Sequence, residues 1–291
     1  MRKVLSIAGA TTLEIACDPL AMLITLSAMA MSTLAGALHY HQFGEPSRMA
    51  REAGLSSLLV GGLAFAVFGA VRTIRREIES GTLQMALARS VSRGGFFAAK
   101  LAGVAAATLA FFLAVWANSL VAVRGAELGA RFAQGDIAKV FGPSLALGTA
   151  AMVVPLAAAA LLNRFAGFRF VRTAMNLMLA VSLAGVCYRF DGSLAARQLG
   201  AAAMLVPPVL FFGAFAGAAA VRLQGNAAVA LAFALAALSL PVLGAHYLPG
   251  SLAAGGSVPA GHCALAFAAA APLVAAAVMA GTELLGGKDV A

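Results

Sequence analysis

Apolar residues fall along this chain in long blocks, separated by short segments that hold nearly all of the charge. Eight blocks run roughly over 19–38, 54–71, 100–123, 141–162, 173–188, 201–220, 227–246 and 263–281. Each is close to the ~20 residues that a helix needs to cross the hydrocarbon of a bilayer. The pattern predicts an all-α, polytopic transmembrane helical bundle of about eight spans, within a range of roughly six to eight. The fifth block is short at its charge-free centre and must borrow from its flanks. The sixth carries Pro207 and Pro208 near its middle. Proline removes a backbone donor and crowds the preceding turn, so a kink or a break is expected there. A sixth block that turned back without crossing would lower the count and invert the later topology.

Polar residues break this pattern in two places. Residues 1–18 mix Val4, Leu5, Ile7, Leu13 and Ile15 with Arg2, Lys3, Glu14 and Asp18. Leu5, Ile7, Ala8, Thr11, Thr12 and Ile15 fall on one helical face, which predicts a short interfacial helix leading into the first span. The alternative is a frayed terminus. Residues 72–100 hold Arg72, Arg75, Arg76, Arg89, Arg93 and Lys100 against only Glu77 and Glu79. Here a basic helical stretch should break at Ser80-Gly81-Thr82, and a second short helix should follow from Leu83 to Arg89. Leu83, Ala86 and Leu87 would give that helix an apolar stripe for a partner or the bilayer. On composition alone, a solvated basic loop fits equally well. No linker or appended soluble domain interrupts residues 1–291, which are expected to form one transmembrane domain.

Composition supports the membrane assignment. The chain of 291 residues is 62% hydrophobic and 11% charged, with mean hydropathy +0.94. Soluble domains carry about 25% charged residues, so a soluble core is excluded. The net charge of +9 lies in short loops between apolar blocks. A positive-inside bias explains it without nucleic acid, which is not an expected partner.

Counting charges then orients the chain. With the amino terminus in the cytoplasm, the inner segments collect thirteen basic residues: Arg2 and Lys3, those of 72–100, Arg164, Arg169, Arg172, Arg222 and Lys288. The outer segments collect seven: Arg48, Arg51, Arg124, Arg131, Lys139, Arg189 and Arg197. Both termini and the 72–100 segment are therefore expected in the cytoplasm, the chain residing in a bacterial inner membrane. Glu14, Asp18 and Pro19 interrupt the apolar run that a cleavable signal peptide would need, so none is expected. Cys17, Cys187 and Cys263 form no disulfide or zinc framework.

The spans carry little chemistry. Between Leu223 and Gly281 there is no Asp, Glu, Lys or Arg, and the earlier span centres are equally clean. An ion-coupled carrier usually keeps an ionisable group near mid-membrane. Here only Asn118, Ser119, Asn163, Asn176 and a few Ser and Thr are present. Energy for uphill movement should therefore enter outside the bilayer, with 72–100 as the port. No serine–histidine–carboxylate or paired-carboxylate set lies within a span, so an intramembrane hydrolase lacks its parts. The Gly281–Asp289 stretch fails as a phosphate-binding loop. Thr282 stands where the first glycine belongs, and Asp289 follows Lys288 where Ser or Thr is needed. His39, His41, His246 and His262 all map to the outer side, with Cys263 beside His262. Such ligands suit copper, zinc or haem, but chance grouping at a membrane boundary is the simpler account and no metal site is assigned. Gly213 and Gly217 form a GxxxG, a spacing that lets helix backbones approach.

The stretch IRREIESGTLQMALARSVSRGGFFAAKLAG, residues 74–103, resembles the signature segment of ABC transporter permeases of the type-2, exporter-like class. The nearest group is that of multicopper-enzyme maturation. Glu77, Gly81, Thr82, Leu83, Val91, Ser92, Arg93 and Lys100 match in order. Gln84 stands where the family usually has Glu, and Ser90 where it often has Pro. The resemblance implies that the segment between spans two and three is a coupling helix docked in a groove of a separate ATP-binding subunit. It implies Arg76, Glu77, Glu79, Gly81, Thr82, Leu83 and Arg93 as the contact, with Glu77 facing a basic group of the ATPase and Gly81 making the turn. Arg164, Arg169 and Arg172 would form a lesser cytoplasmic contact. ATP and magnesium would be held by the partner subunit, with no cofactor and no enzymatic activity in this chain. A second permease subunit, identical or homologous, would complete the unit within the lipid bilayer.

These expectations converge on the membrane subunit of an ATP-driven exporter of apolar or amphipathic cargo. Two alternatives stand beside it: an ion-coupled secondary carrier, and a non-transporting anchor or assembly subunit of an enzyme complex.

Overall fold

The computed structural model describes residues 2–37, 48–81, 92–132, 137–188, 192–247 and 258–286. Among the described residues there are nine helices and no strand. They are α1 (Arg2–Ala16), α2 (Pro19–Ala37), α3 (Arg48–Glu79), α4 (Arg93–Phe132), α5 (Ile137–Ala166), α6 (Phe170–Tyr188), α7 (Gly192–Arg222), α8 (Gly225–Tyr247) and α9 (Ala260–Gly286). Each expected apolar block is helical. Among the described residues six helices are long and apolar enough to cross a membrane, and α1 with α2, bent by 65°, makes a seventh if the pair is one span. The molecule is an all-α polytopic bundle.

α1 is a docked helix and not a frayed end. Thr11 and Ile15 are buried, and Ile7, Ala8 and Thr12 are half-buried. Leu5, placed on the same face from the sequence, is instead exposed. The chain breaks at Cys17-Asp18, where the Asp18 carboxylate accepts a 2.9 Å hydrogen bond from the Leu20 amide and caps α2. Pro19 opens α2, a position where the missing donor costs nothing.

Of the kink or break expected at Pro207-Pro208, the break is absent: α7 runs as one helix through both prolines. The hydrogen bonds lost there are offset by packing, since α7 is the most enclosed span, with 72% of its apolar window buried. α3 and α9 pack along it. A Cβ on Gly213 would stand 3.0 Å from the Ala66 Cβ, so the GxxxG is where α7 and α3 meet. α4 completes the centre. Its buried Asn118 amide nitrogen lies 2.9–3.1 Å from Met29 O, Ser32 Oγ and Thr33 Oγ1, joining α4 to α2.

Around this centre the surface is apolar. Leu23, Met31, Val60, Val153, Leu238, Leu265 and Met279 are exposed. Such a surface suits lipid, not water, and identifies a multi-pass membrane protein.

The bundle has two distinct ends. At one, Ala50, Leu120, Val123, Ala126, Leu194 and Ala195 cluster, and Gly200 meets Val258. At the other, the end of α3, the start of α4, α1 and the turn between α5 and α6 come together. Gly225 there approaches Arg75, and Gly286 approaches Arg93. Among the described residues, the stretches around Arg72–Glu77, Arg93–Lys100, Arg169–Arg172 and Gly225, which charge counting allots to one side, lie at one end.

Candidate functional site

At this second end α3 extends past its last fully buried residue. Its last buried residue is Ile74, yet the helix continues to Glu79. Spacing of four keeps the extension helical: Arg75 reaches Glu79 at 2.8 Å, on the exposed side. Arg76 lies in the last turn, where a cation complements the helix dipole. The helix then closes with Ser80 N bonded to Arg76 O at 2.9 Å. Gly81 follows at φ +69°, a left-handed conformation that glycine adopts without penalty. The turn expected at Gly81 is therefore present. The chain returns at Ser92, which caps α4: its Oγ accepts from Gly95 N at 3.1 Å.

A buried lysine organises the joint. Lys100 Nζ lies 2.7 Å from Glu77 Oε1 and 3.7 Å from Glu14 Oε2, with its side chain only 5% exposed. It also stands 5.9 Å from the Phe96 ring centroid. Glu14 meets Arg76 at 3.3 Å, and Asp18, already capping α2, meets Arg72 at 2.9 Å. Opposite charges thus link α1 and the start of α2 to the ends of α3 and α4. An ammonium removed from water is stable only with such partners. The exposed arginine pairs add little energy individually, but they fix where α1 sits.

The structure separates the residues expected at the contact. Glu77 faces inward onto Lys100, while Arg76 and Glu79 are exposed at the tip of α3. Arg93 is exposed at the start of α4, 3.5 Å from where a Gly286 Cβ would stand. Thr82 and Leu83 lie outside the described residues. In the second loop Gly167 also has φ +69°, and the Asn163 side-chain amide donates to Phe168 O at 2.6 Å. Arg169 and Arg172 face the same cleft as Arg72 and Arg76, whereas Arg164, exposed near the end of α5, does not line it.

Sequence reasoning missed Glu14, Asp18 and Lys100 as members of one network. One signal was available. Glu14 and Asp18 are the only carboxylates in the first 44 residues, in a stretch that lies beside no other charge than Arg2 and Lys3, so they call for basic partners from elsewhere in the chain. Of the histidines, His39, His41 and the side chain of His246 lie outside the described residues. His262 is exposed at the start of α9. Among the described residues no three His, Cys, Asp or Glu side chains gather as a metal site.

The described residues of the joint form a fixed mechanical link among four helices. Compared with protein-family models, curated proteins and solved structures, the chain matches none.

Proposed function

We propose that this protein is the membrane-spanning subunit of an ATP-driven ABC transporter of the type-2 class, exporting an apolar or amphipathic cargo. A separate ATP-binding subunit, carrying ATP and magnesium, would grip the elbow between α3 and α4 on the cytoplasmic face of a bacterial inner membrane. A second permease subunit would complete the unit.

One observation carries most of the weight. α3 remains helical past its last fully buried residue, Ile74, and ends in an exposed tip, Arg76 and Glu79, just before the Gly81 turn. Behind the tip, Lys100, Glu77, Glu14 and Arg76 lock the elbow to α1. A push on the tip would therefore move α1, α3 and α4 together, as rigid-body coupling requires. The motif resemblance points to the same segment. In this reading Glu77 braces the elbow through Lys100, and Glu79, paired with Arg75 yet exposed, is the carboxylate offered to a partner's cation. Lys100 does not favour an ion-coupled carrier, because it lies at the end of the bundle and not at mid-membrane.

The test is co-expression with a candidate ATP-binding subunit, sought among the neighbouring reading frames. Glu79→Lys should cut permease-stimulated ATP hydrolysis about tenfold, as charge reversal at a close interfacial pair does, while leaving membrane insertion intact. Unchanged stimulation, or no bound ATPase at all, would sink the proposal.

A further inference from the structure

Below the elbow the 65° bend between α1 and α2 opens a cleft of about 520 Å³ against α3 and the start of α6. Its volume is in the range of sites for small organic ligands, about 300–1,000 Å³. Four arginines line it (Arg72, Arg76, Arg169 and Arg172) against two carboxylates, Glu14 and Asp18. The carboxylates are engaged by Arg76 and Arg72. Arg169 and Arg172 have no side-chain partner among the described residues, so the cleft holds an excess of positive charge. The remaining lining is of another kind. Ile24, Phe65 and Phe68 give it an apolar wall, and Leu13, 47% exposed, stands where α1 meets its surroundings.

Guanidinium groups match phosphate oxygens in pairs of parallel hydrogen bonds, and Arg is chosen over Lys where that geometry matters. The apolar wall gives a free anion nothing, whereas an acyl chain leaving its headgroup would lie on it. We infer that this cleft binds a phosphate-bearing amphiphile, an anionic phospholipid, with its phosphate on Arg169 and Arg172 and the start of a chain along Phe65 and Phe68. Only the cleft's own residues enter this assignment, and no ATPase is required.

The full chain would be reconstituted in phosphatidylcholine nanodiscs doped with phosphatidylglycerol, and lipid retained after extraction counted by native mass spectrometry. Phosphatidylglycerol should be retained over phosphatidylcholine. Arg169→Gln with Arg172→Gln should weaken that preference about tenfold or more, the effect of losing a charged hydrogen bond. Both side chains are exposed, and thermal melting would confirm that the fold survives. Phe68→Ala provides a second variant: it should weaken retention of phosphatidylglycerol without changing protection by glycerol phosphate. That protection would be read as slowed alkylation of Cys17, which lines the same cleft, with Cys187 and Cys263 replaced by Ala. Equal retention of the two lipids by the unmodified chain would overturn the assignment. So would displacement of the lipid by millimolar inorganic phosphate with no effect of Phe68→Ala, since the occupant would then be a free anion. An arginine-independent preference would likewise overturn it.

Discussion

Lys100 is nearly shut off from solvent and survives there because Glu77 and Glu14 face its ammonium. Removing one member of such a group strands the others, which costs more than the intact set contributes. Lys100→Met should therefore destabilise the protein by about 3 kcal/mol, measured by reversible unfolding in mixed micelles. Adding Glu77→Gln to that variant should recover much of the loss. If the double variant is as unstable as the single one, the pair is not what holds the elbow. The sequence places Lys100 and Glu77 in one motif but not on one another. Their meeting depends on the face that α3 turns towards α4, which residue order does not state.

At the scale of elements, α1 matters because of how closely it lies on α4. A Cβ at Gly103 would stand 2.5 Å from Ala8 O, and the Thr12 hydroxyl sits 3.1 Å from Gly103 O. Gly103→Val should push α1 away, costing about 1–3 kcal/mol by overpacking. Hydrogen exchange should then rise along α1 and stay unchanged in α7. Exchange rising equally in both helices would mean that α1 is not an independently docked element. The same overpacking is expected at the crossing of α7 and α3. Gly213→Leu should lower the unfolding midpoint, while Gly261→Leu, at a position open to its surroundings, should not.

At the scale of the whole molecule, charge counting and packing put the described parts of the 72–100 segment and of the turn between α5 and α6 at one end. Cysteines at Ser80 and Gly261, placed singly in a chain lacking Cys17, Cys187 and Cys263, should label from opposite sides of the membrane. Ser80→Cys should react with an impermeant maleimide only after the inner face is opened. Reaction of Ser80→Cys in intact cells would place the elbow outside and remove the ground for a cytoplasmic ATPase partner.

Hydropathy by itself determined where the helical blocks lie but not their ends, since α3 and α4 run well beyond the expected 54–71 and 100–123; charge counting grouped the connecting segments by side. The glycine after Glu79 marked the end of α3 for a local reason, its freedom at positive φ. All of these are properties of one segment at a time. The tertiary structure alone decided that α7 is central and α9 peripheral, although their mean hydropathies are nearly equal, at 2.0 and 2.2, and their buried shares are 72% and 11%. Lipid and a neighbouring helix are both apolar surroundings, so a span's sequence does not distinguish them. It likewise decided that Glu77 turns inward, because an ion pair between helices depends on which helices become neighbours.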